Sequence, residues 1–448
     1  MERNMKRFGK RCLTLLLAVC LAAGCGAPSE VAPTEETATR EKQEMNLWYT
    51  DAAMDTYMAA AAGAFGREHQ VSVTARQISA VDYLENINRQ NVQETDVVDV
   101  YILNSESLEK AYLAGLAADV EKDLSGYPQI AASVCSYRGE TIAFPVYFET
   151  EIFLYNKDIV EHAPESFQAI MDFASGEEMS GENAEKYEGL EAVLKWDVLD
   201  LFCNYQFVGA YLKLGGEDGD DKTVVDINNE QVLEALIFYK ELNQSLYFDA
   251  EEIDYDQLLQ SFLEGRILYT IAGTDSLKML QQSGMNYGIA AIPALTDTLD
   301  SKGISVSYVA VVNPYSNSPE LAEELADYIS DGFSEKCYEL SGKLPCKGMD
   351  TYPVEELANV MTAYENSVQL PKLMNTTNFW VELEVALNNI WKAELEEEQA
   401  EEGLSDSSQA EDNGAEEWKK EQMRQEIRAL AAKEINRVQE QMQMQLAD

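Results

Sequence analysis

From Asn46 onward, short apolar runs of two-residue period alternate with stretches of helical period, and this alternation constrains the fold more than any other feature. Asn46 to Thr50 is a short apolar stretch, Ala52 to Phe65 an alanine-rich helical segment, and Val71 to Gln77 alternates as a strand. Val81 to Val92 predicts a second helix, Val97 to Leu103 a strand and Ser105 to Ala114 a third helix. Further on, Val232 to Leu242 and Tyr255 to Leu263 predict amphipathic helices, with strands at Ile267 to Ile271 and Tyr287 to Ile292. Strands and helices taking turns at this spacing imply parallel sheets with both faces covered. Roughly four hundred residues are organised this way, more than one hydrophobic core holds, so two α/β lobes are expected.

The amino terminus is a separate element. Arg3, Lys6, Arg7, Lys10 and Arg11 precede an apolar core, Leu13 to Ala23, that is too short to span a bilayer comfortably. Residues 1–24 therefore read as an export signal. The run Leu21-Ala22-Ala23-Gly24-Cys25 resembles the lipobox of bacterial lipoproteins, with Ala22 where that motif usually holds Leu. The resemblance makes Cys25 the lipidated first residue of the mature chain; an ordinary cleaved signal with an incidental cysteine is the alternative. Either reading places the protein outside the cytoplasm, and the first anchors it to the cell membrane. Residues 25–44 are rich in Ala, Pro, Thr, Ser and Glu and read as a flexible tether. No later apolar run reaches membrane-spanning length, so attachment is expected through Cys25.

The 448 residues carry 33 basic and 80 acidic side chains, and beyond residue 24 the balance is 28 to 79. Such a surface repels nucleic acid and anionic lipid, which excludes both as partners. Its first use is solubility and self-repulsion, consistent with a monomer. Cys135, Cys203, Cys337 and Cys346 lack paired zinc spacing; a Cys337–Cys346 bridge and separate buried thiols both fit. Near the end, residues 394–417 read as a mobile acidic loop, and 418–448 as an amphipathic helix packed on the second lobe or against a partner.

The stretch IAFPVYFETEIFLYNKD, Ile142 to Asp158, resembles the crossover segment of extracellular solute-binding proteins of the maltodextrin-binding type. GLAADVEKDL at Gly115, SFLEGRILYTIAGTDSL at Ser261, YGIAAIPAL at Tyr287, SVSYVAVVNPYSNSPELAEELADYI at Ser305 and NFWVELEVALNNI at Asn378 extend the similarity in the family's order. The resemblance implies a two-lobed type II periplasmic-binding-protein fold, with a hinge and a ligand cleft between lobes. Lobe 1 is expected at 45–150 and 287–332, lobe 2 at 151–286 and 333–393, with crossovers near Glu149 to Tyr155, Met285 to Ile292 and Ser330 to Glu335. The implied function is capture of a small solute, most plainly a sugar or oligosaccharide, and delivery to the transmembrane subunits of an ABC importer.

Sugars offer hydroxyl edges and apolar faces, so their sites pair carboxylates and amides with flat rings. The resemblance carries the cleft glutamate onto Glu149, ring-bearing tyrosines onto Tyr205 and Tyr255, and a stacking tryptophan onto Trp380. Glu106 keeps an acidic position. The departures are Asp275, preceded by Thr274, where maltodextrin binders carry a tryptophan, Leu103 where they carry another, and Glu384 where they carry an arginine. Ala52 and Ala53 replace charged contacts, leaving Asp51 beside them as a substitute. Tyr49, Asn104, Asn204 and Tyr308 fall near strand ends and join the candidates. These changes leave open a non-sugar solute such as a polyamine, and a surface interaction protein without a transport role.

Catalysis is not expected. His69 and His162 are the two histidines, and neither sits in an HExxH frame. No GxSxG elbow exists, and the SxxK match at Ser107 to Lys110 lacks its companion motifs. The acidic run Glu217, Asp218, Asp220, Asp221 is interrupted by Lys222 and lacks the glutamate that closes a calcium loop, so neither metal nor cofactor is expected.

Overall fold

The computed structural model describes residues 43–94, 96–176, 179, 185–246, 253–373, 377–395 and 409–447. The expected signal, Cys25 and most of the expected tether lie outside the described residues. Glu44, at the tether's expected end, already pairs in a strand.

The main strands are β1 (Glu44–Tyr49), β2 (Ser72–Gln77), β3 (Val100–Asn104), β4 (Phe144–Asn156), β5 (Ala192–Leu194), β6 (Ile267–Gly273), β7 (Tyr287–Ala290) and β8 (Ile304–Val312). β4 fixes the architecture. Phe144 to Thr150 pair antiparallel with β8, whereas Glu151 to Tyr155 pair antiparallel with β6. The first half thus completes a sheet in the order β2-β1-β3-β8-β4, and the second half joins β6, β5 and β7. β1 runs parallel to β2 and β3, as the alternating pattern predicts. β8 runs against both β3 and β4, because a chain returning from the other sheet enters this one from its opposite end.

Each sheet is covered on both faces. In the first, Leu47 and Ile102 pack in one core with Phe65 and Leu325, while Trp48, Tyr101 and Leu103 pack in another with Leu108 and Val309. Neighbouring residues facing opposite cores is the two-residue period of a strand. In β4, likewise, Phe153 joins Trp196 and Phe207 on one side and Ile152 and Leu154 join Phe262 and Val360 on the other. Each fully buried apolar side chain of this kind stabilises the fold by roughly 1.5–3 kcal/mol.

The helices that bear on the site and the chain end are α1 (Asp55–His69), α2 (Glu230–Leu246), α3 (Tyr255–Leu263), α4 (Glu356–Glu365), α5 (Thr377–Lys392) and α6 (Gln409–Ala447). α6 differs from expectation: it starts at Gln409, inside the segment read as acidic loop. Ala- and Glu-rich sequence looks solvated by composition, yet the same residues have high helix propensity. Ile427, Ala431, Ile435, Val438 and Met442 are buried along one stripe of α6, which packs against α2, α5 and the strand Asp221–Asp226. Arg424 pairs with Glu234 and Glu241, and Arg428 with Glu230 and Glu234.

β7 pairs with the second half of β4, and the chain rejoins the first sheet between Ala290 and Ile304. Leu344 and Pro345 pair with Phe148 and Tyr147. Cys135, Cys203, Cys337 and Cys346 are buried free thiols.

Candidate ligand-binding site

Where β4 changes sheets, a cavity of about 460 Å³ opens, walled by Glu106, Glu149, Glu151, Phe202, Asp275 and Tyr308. Along β4 only Glu149, Glu151 and Tyr155 escape full burial. Residues two apart on a strand face the same way, so the switch aims both glutamates into the gap between sheets.

On the first-lobe side the polar groups form one connected network. The Tyr308 hydroxyl donates to Glu149 at 3.3 Å, and the ammonium of Lys343 pairs with the other oxygen of Glu149. Lys343 also lies 3.9 Å from Asp51, which accepts from the Tyr147 hydroxyl at 3.2 Å. Tyr147 and Tyr308 stack with ring centroids 4.4 Å apart. Asp51 is held by capping the Ala53 amide at 2.9 Å.

The second-lobe side is built differently. Desolvation pushes the carboxyl of Glu151 up to about 8, reinforced by the negative charges of Asp200 and Asp275. Thr274 is buried and accepts the Thr150 amide at 3.3 Å, tying the end of β6 to the switch. Phe202, absent from the sequence candidates, presents a 39 % exposed ring to the cavity.

Other candidates lie elsewhere. Tyr49 is buried in the first-lobe core, where desolvation and the Asp55 carboxylate push its hydroxyl up to about 12. Tyr205 is 5 % exposed in the second-lobe core, its ring centroid 6.1 Å from that of Trp380. Neither lines the cavity: Tyr49 ends a strand and Tyr205 a short helix, and an aromatic ring at an element's end buries as readily as it binds. Tyr255 sits half-buried behind β6, its hydroxyl accepting the Gly273 amide at 3.1 Å. Asn204 is buried and accepts from the Trp196 indole at 2.9 Å, while Asn104 reaches the cavity wall. Trp380, half-buried in the first turn of α5, donates its indole N–H to Glu106 at 3.3 Å. That bond joins the second lobe to a first-lobe residue on the cavity wall.

Lys343 gave no local signal, because it meets Glu149 across 194 residues of chain. Phe202 carries no sequence signal beyond that of an apolar residue just after the helix cap Asp200. The remaining motifs are absorbed by structure. Lys110 of the SxxK match pairs with Glu85 at 2.8 Å, and Asp220 of the acidic run accepts the Arg138 amide at 2.6 Å. Among the described residues, no cluster of His, Cys, Asp and Glu could hold a metal ion, and no helix is long and apolar enough to cross a membrane.

Residues 60–345 match the family model for bacterial extracellular solute-binding proteins. This chain belongs to that family. It is therefore a binding protein, not an enzyme, and works outside the cytoplasm. This solute-binding protein is 25 % identical over 253 residues to the maltodextrin-binding protein MdxE of Bacillus subtilis (strain 168), a match spanning 54 % of this chain and 60 % of that protein. It is 22 % identical over 382 residues to the maltooligosaccharide ABC transporter solute-binding lipoprotein of Streptococcus pneumoniae (strain ATCC BAA-255 / R6), covering 82 % of this chain and 88 % of that one. Its fold is that of the extracellular solute-binding protein from Staphylococcus aureus solved in complex with maltose: TM-score 0.69, 17 % identity, 88 % of this chain and 97 % of that chain.

Proposed function

We propose that this solute-binding protein captures an oligosaccharide in the cavity at the β4 switch and delivers it to the transmembrane subunits of an ABC importer. The observation that carries the reading is the wall itself, where Glu106, Glu149, Asp275, Asn104 and Tyr308 offer hydrogen-bonding groups beside the exposed Phe202 ring. Carboxylates and amides accept or donate to sugar hydroxyls, and a flat ring covers a sugar's apolar face. The maltodextrin- and maltooligosaccharide-binding relatives support the same reading. Because the wall draws residues from both lobes, a ligand touching both binds the closed form better and couples occupancy to closure.

Calorimetry of the full chain against a panel of oligosaccharides tests this. At least one saccharide should bind, and Phe202→Ala should weaken it by about 1–3 kcal/mol, one to two decades in Kd. A panel that gives neither heat nor a rise in melting temperature would remove the reading.

Membrane attachment through lipid on Cys25 belongs to the same proposal, supported by the basic start, the apolar core and the Leu21–Cys25 run. Cys25→Ala should move the protein from the membrane fraction to the soluble one. Retention as firm as wild type would place the anchor elsewhere.

A further inference from the structure

The carboxylates at the cavity fall into two sets that differ in what neutralises them. Glu149 and Asp51 share Lys343, and each accepts a tyrosine hydroxyl. Glu151 accepts the neutral Cys203 thiol at 3.8 Å and Asp275 is exposed; among the described residues neither pairs with a lysine or arginine. The two converge over Gly273. A Cβ placed on that glycine would lie 2.6 Å from Asp275 Oδ1 and 3.6 Å from Glu151 Oε1. Both carboxylates line the cavity over that glycine, where a side chain would run into them.

Like charges in a partly desolvated wall are unfavourable unless a proton or a cation joins them. A proton is one such partner, and the raised carboxyl of Glu151 reflects it. Asp200, at the cap of the helix carrying Phe202, adds a further negative charge beside Glu151. A ligand that brings its own positive charge takes the proton's place and lets both carboxylates stay ionised against it. A neutral ligand offers them no such contact.

We propose that the cavity selects a saccharide bearing a protonated amine, its ammonium held between Glu151 and Asp275 and its hydroxyl-bearing remainder against Glu149, Asn104 and Phe202. This rests on the oligosaccharide reading above and names the substrate class of that same site. Glu151 and Asp275 are its specificity-determining residues. An ammonium donates up to three hydrogen bonds and accepts none, which matches two carboxylates that are acceptors alone once the proton has left Glu151. Charge-assisted bonds to a carboxylate are about twice as strong as neutral ones, enough to separate a charged from an uncharged sugar of one shape.

The test uses the full chain, near neutral pH, with three trisaccharides: that of glucosamine, its fully N-acetylated form, and maltotriose, with spermidine as an amine lacking a sugar. The glucosamine trisaccharide should bind at least about tenfold tighter than its N-acetylated form and than maltotriose, since close charge pairs of this kind contribute on that scale. Asp275→Asn and Glu151→Gln should each bring the ratio of glucosamine to N-acetylated affinity toward one. The wild-type ratio alone decides the matter if a variant fails to fold, which its melting temperature reveals. Maltotriose or the N-acetylated sugar binding as tightly as the glucosamine form overturns the charge preference and leaves the oligosaccharide reading intact. Spermidine binding without any saccharide binding overturns the oligosaccharide reading and this inference with it.

Discussion

At Glu151 the physics is that of a partly desolvated carboxyl beside other negative charges. Its ordinary value in an unfolded chain is about 4.3, whereas in the folded protein burial, Asp200 and Asp275 push it up to about 8. Between those values the folded state holds a proton that the unfolded state has released, so stability falls as pH rises through that window. Below it both states are protonated and the contribution is complete. Glu151→Gln removes the proton and the repulsion together. The melting temperature of the unliganded variant should therefore decline less than wild type between about pH 5 and about pH 8, and at the alkaline end it should exceed wild type by at least about 2 °C. Parallel curves for the two proteins would mean that Glu151 is solvated and ordinary. Cys203, Asp200, Asp275, Glu149 and Tyr255 are the titratable groups that face it, and each remains in the variant.

Two elements decide how the site is held. β4 carries Glu149 and Glu151 on the same edge because its thirteen residues cross from one sheet to the other without a turn. α6 works from outside, closing the second-lobe core with a stripe that repeats at helical spacing and pairing arginines with α2. The stripe and the ion pairs differ in weight. Ile435 is fully buried, and its truncation to alanine should cost about 2–5 kcal/mol. Arg428 sits partly in solvent, so Arg428→Ala should cost no more than about 1 kcal/mol. Urea titrations of the two variants measure the difference. Near-identical midpoints would show that α6 is docked by charge and not by its apolar face.

Over the whole molecule, the lobes touch at more than the β4 passage. Trp380 donates to Glu106 at 3.3 Å, Lys222 reaches the buried Glu109 at 3.4 Å, and Lys372 donates to the Ser133 and Ser136 carbonyls at 2.7 and 2.6 Å. These contacts join Lys222, Lys372 and Trp380 to residues 106–136, and the loss of one should favour a more open arrangement. Trp380→Phe keeps an aromatic ring but loses the donor. The variant should show a larger radius of gyration by small-angle scattering when unliganded, the same radius when saturated, and affinity weakened roughly two- to tenfold. An unchanged unliganded radius would show that closure does not depend on that bond.

The sequence by itself carried whatever local periodicity encodes. The alternation from Asn46 onward determined an α/β chain, and Tyr255–Leu263 is the helix its spacing predicts. The apolar spacing along the terminal segment determined a buried helical stripe, and the motif around Glu149 marked where the chain crosses between sheets. Periodicity states which face of an element is buried, not what covers it. Tyr49 and Tyr205 therefore read like Tyr308, and only the packing put the first two in cores and the third on the cavity wall. Lys343, Phe202 and the meeting of Glu151 with Asp275 depend on residues far apart in the chain coming together. Such encounters are fixed by strand register and lobe closure, which no single segment contains.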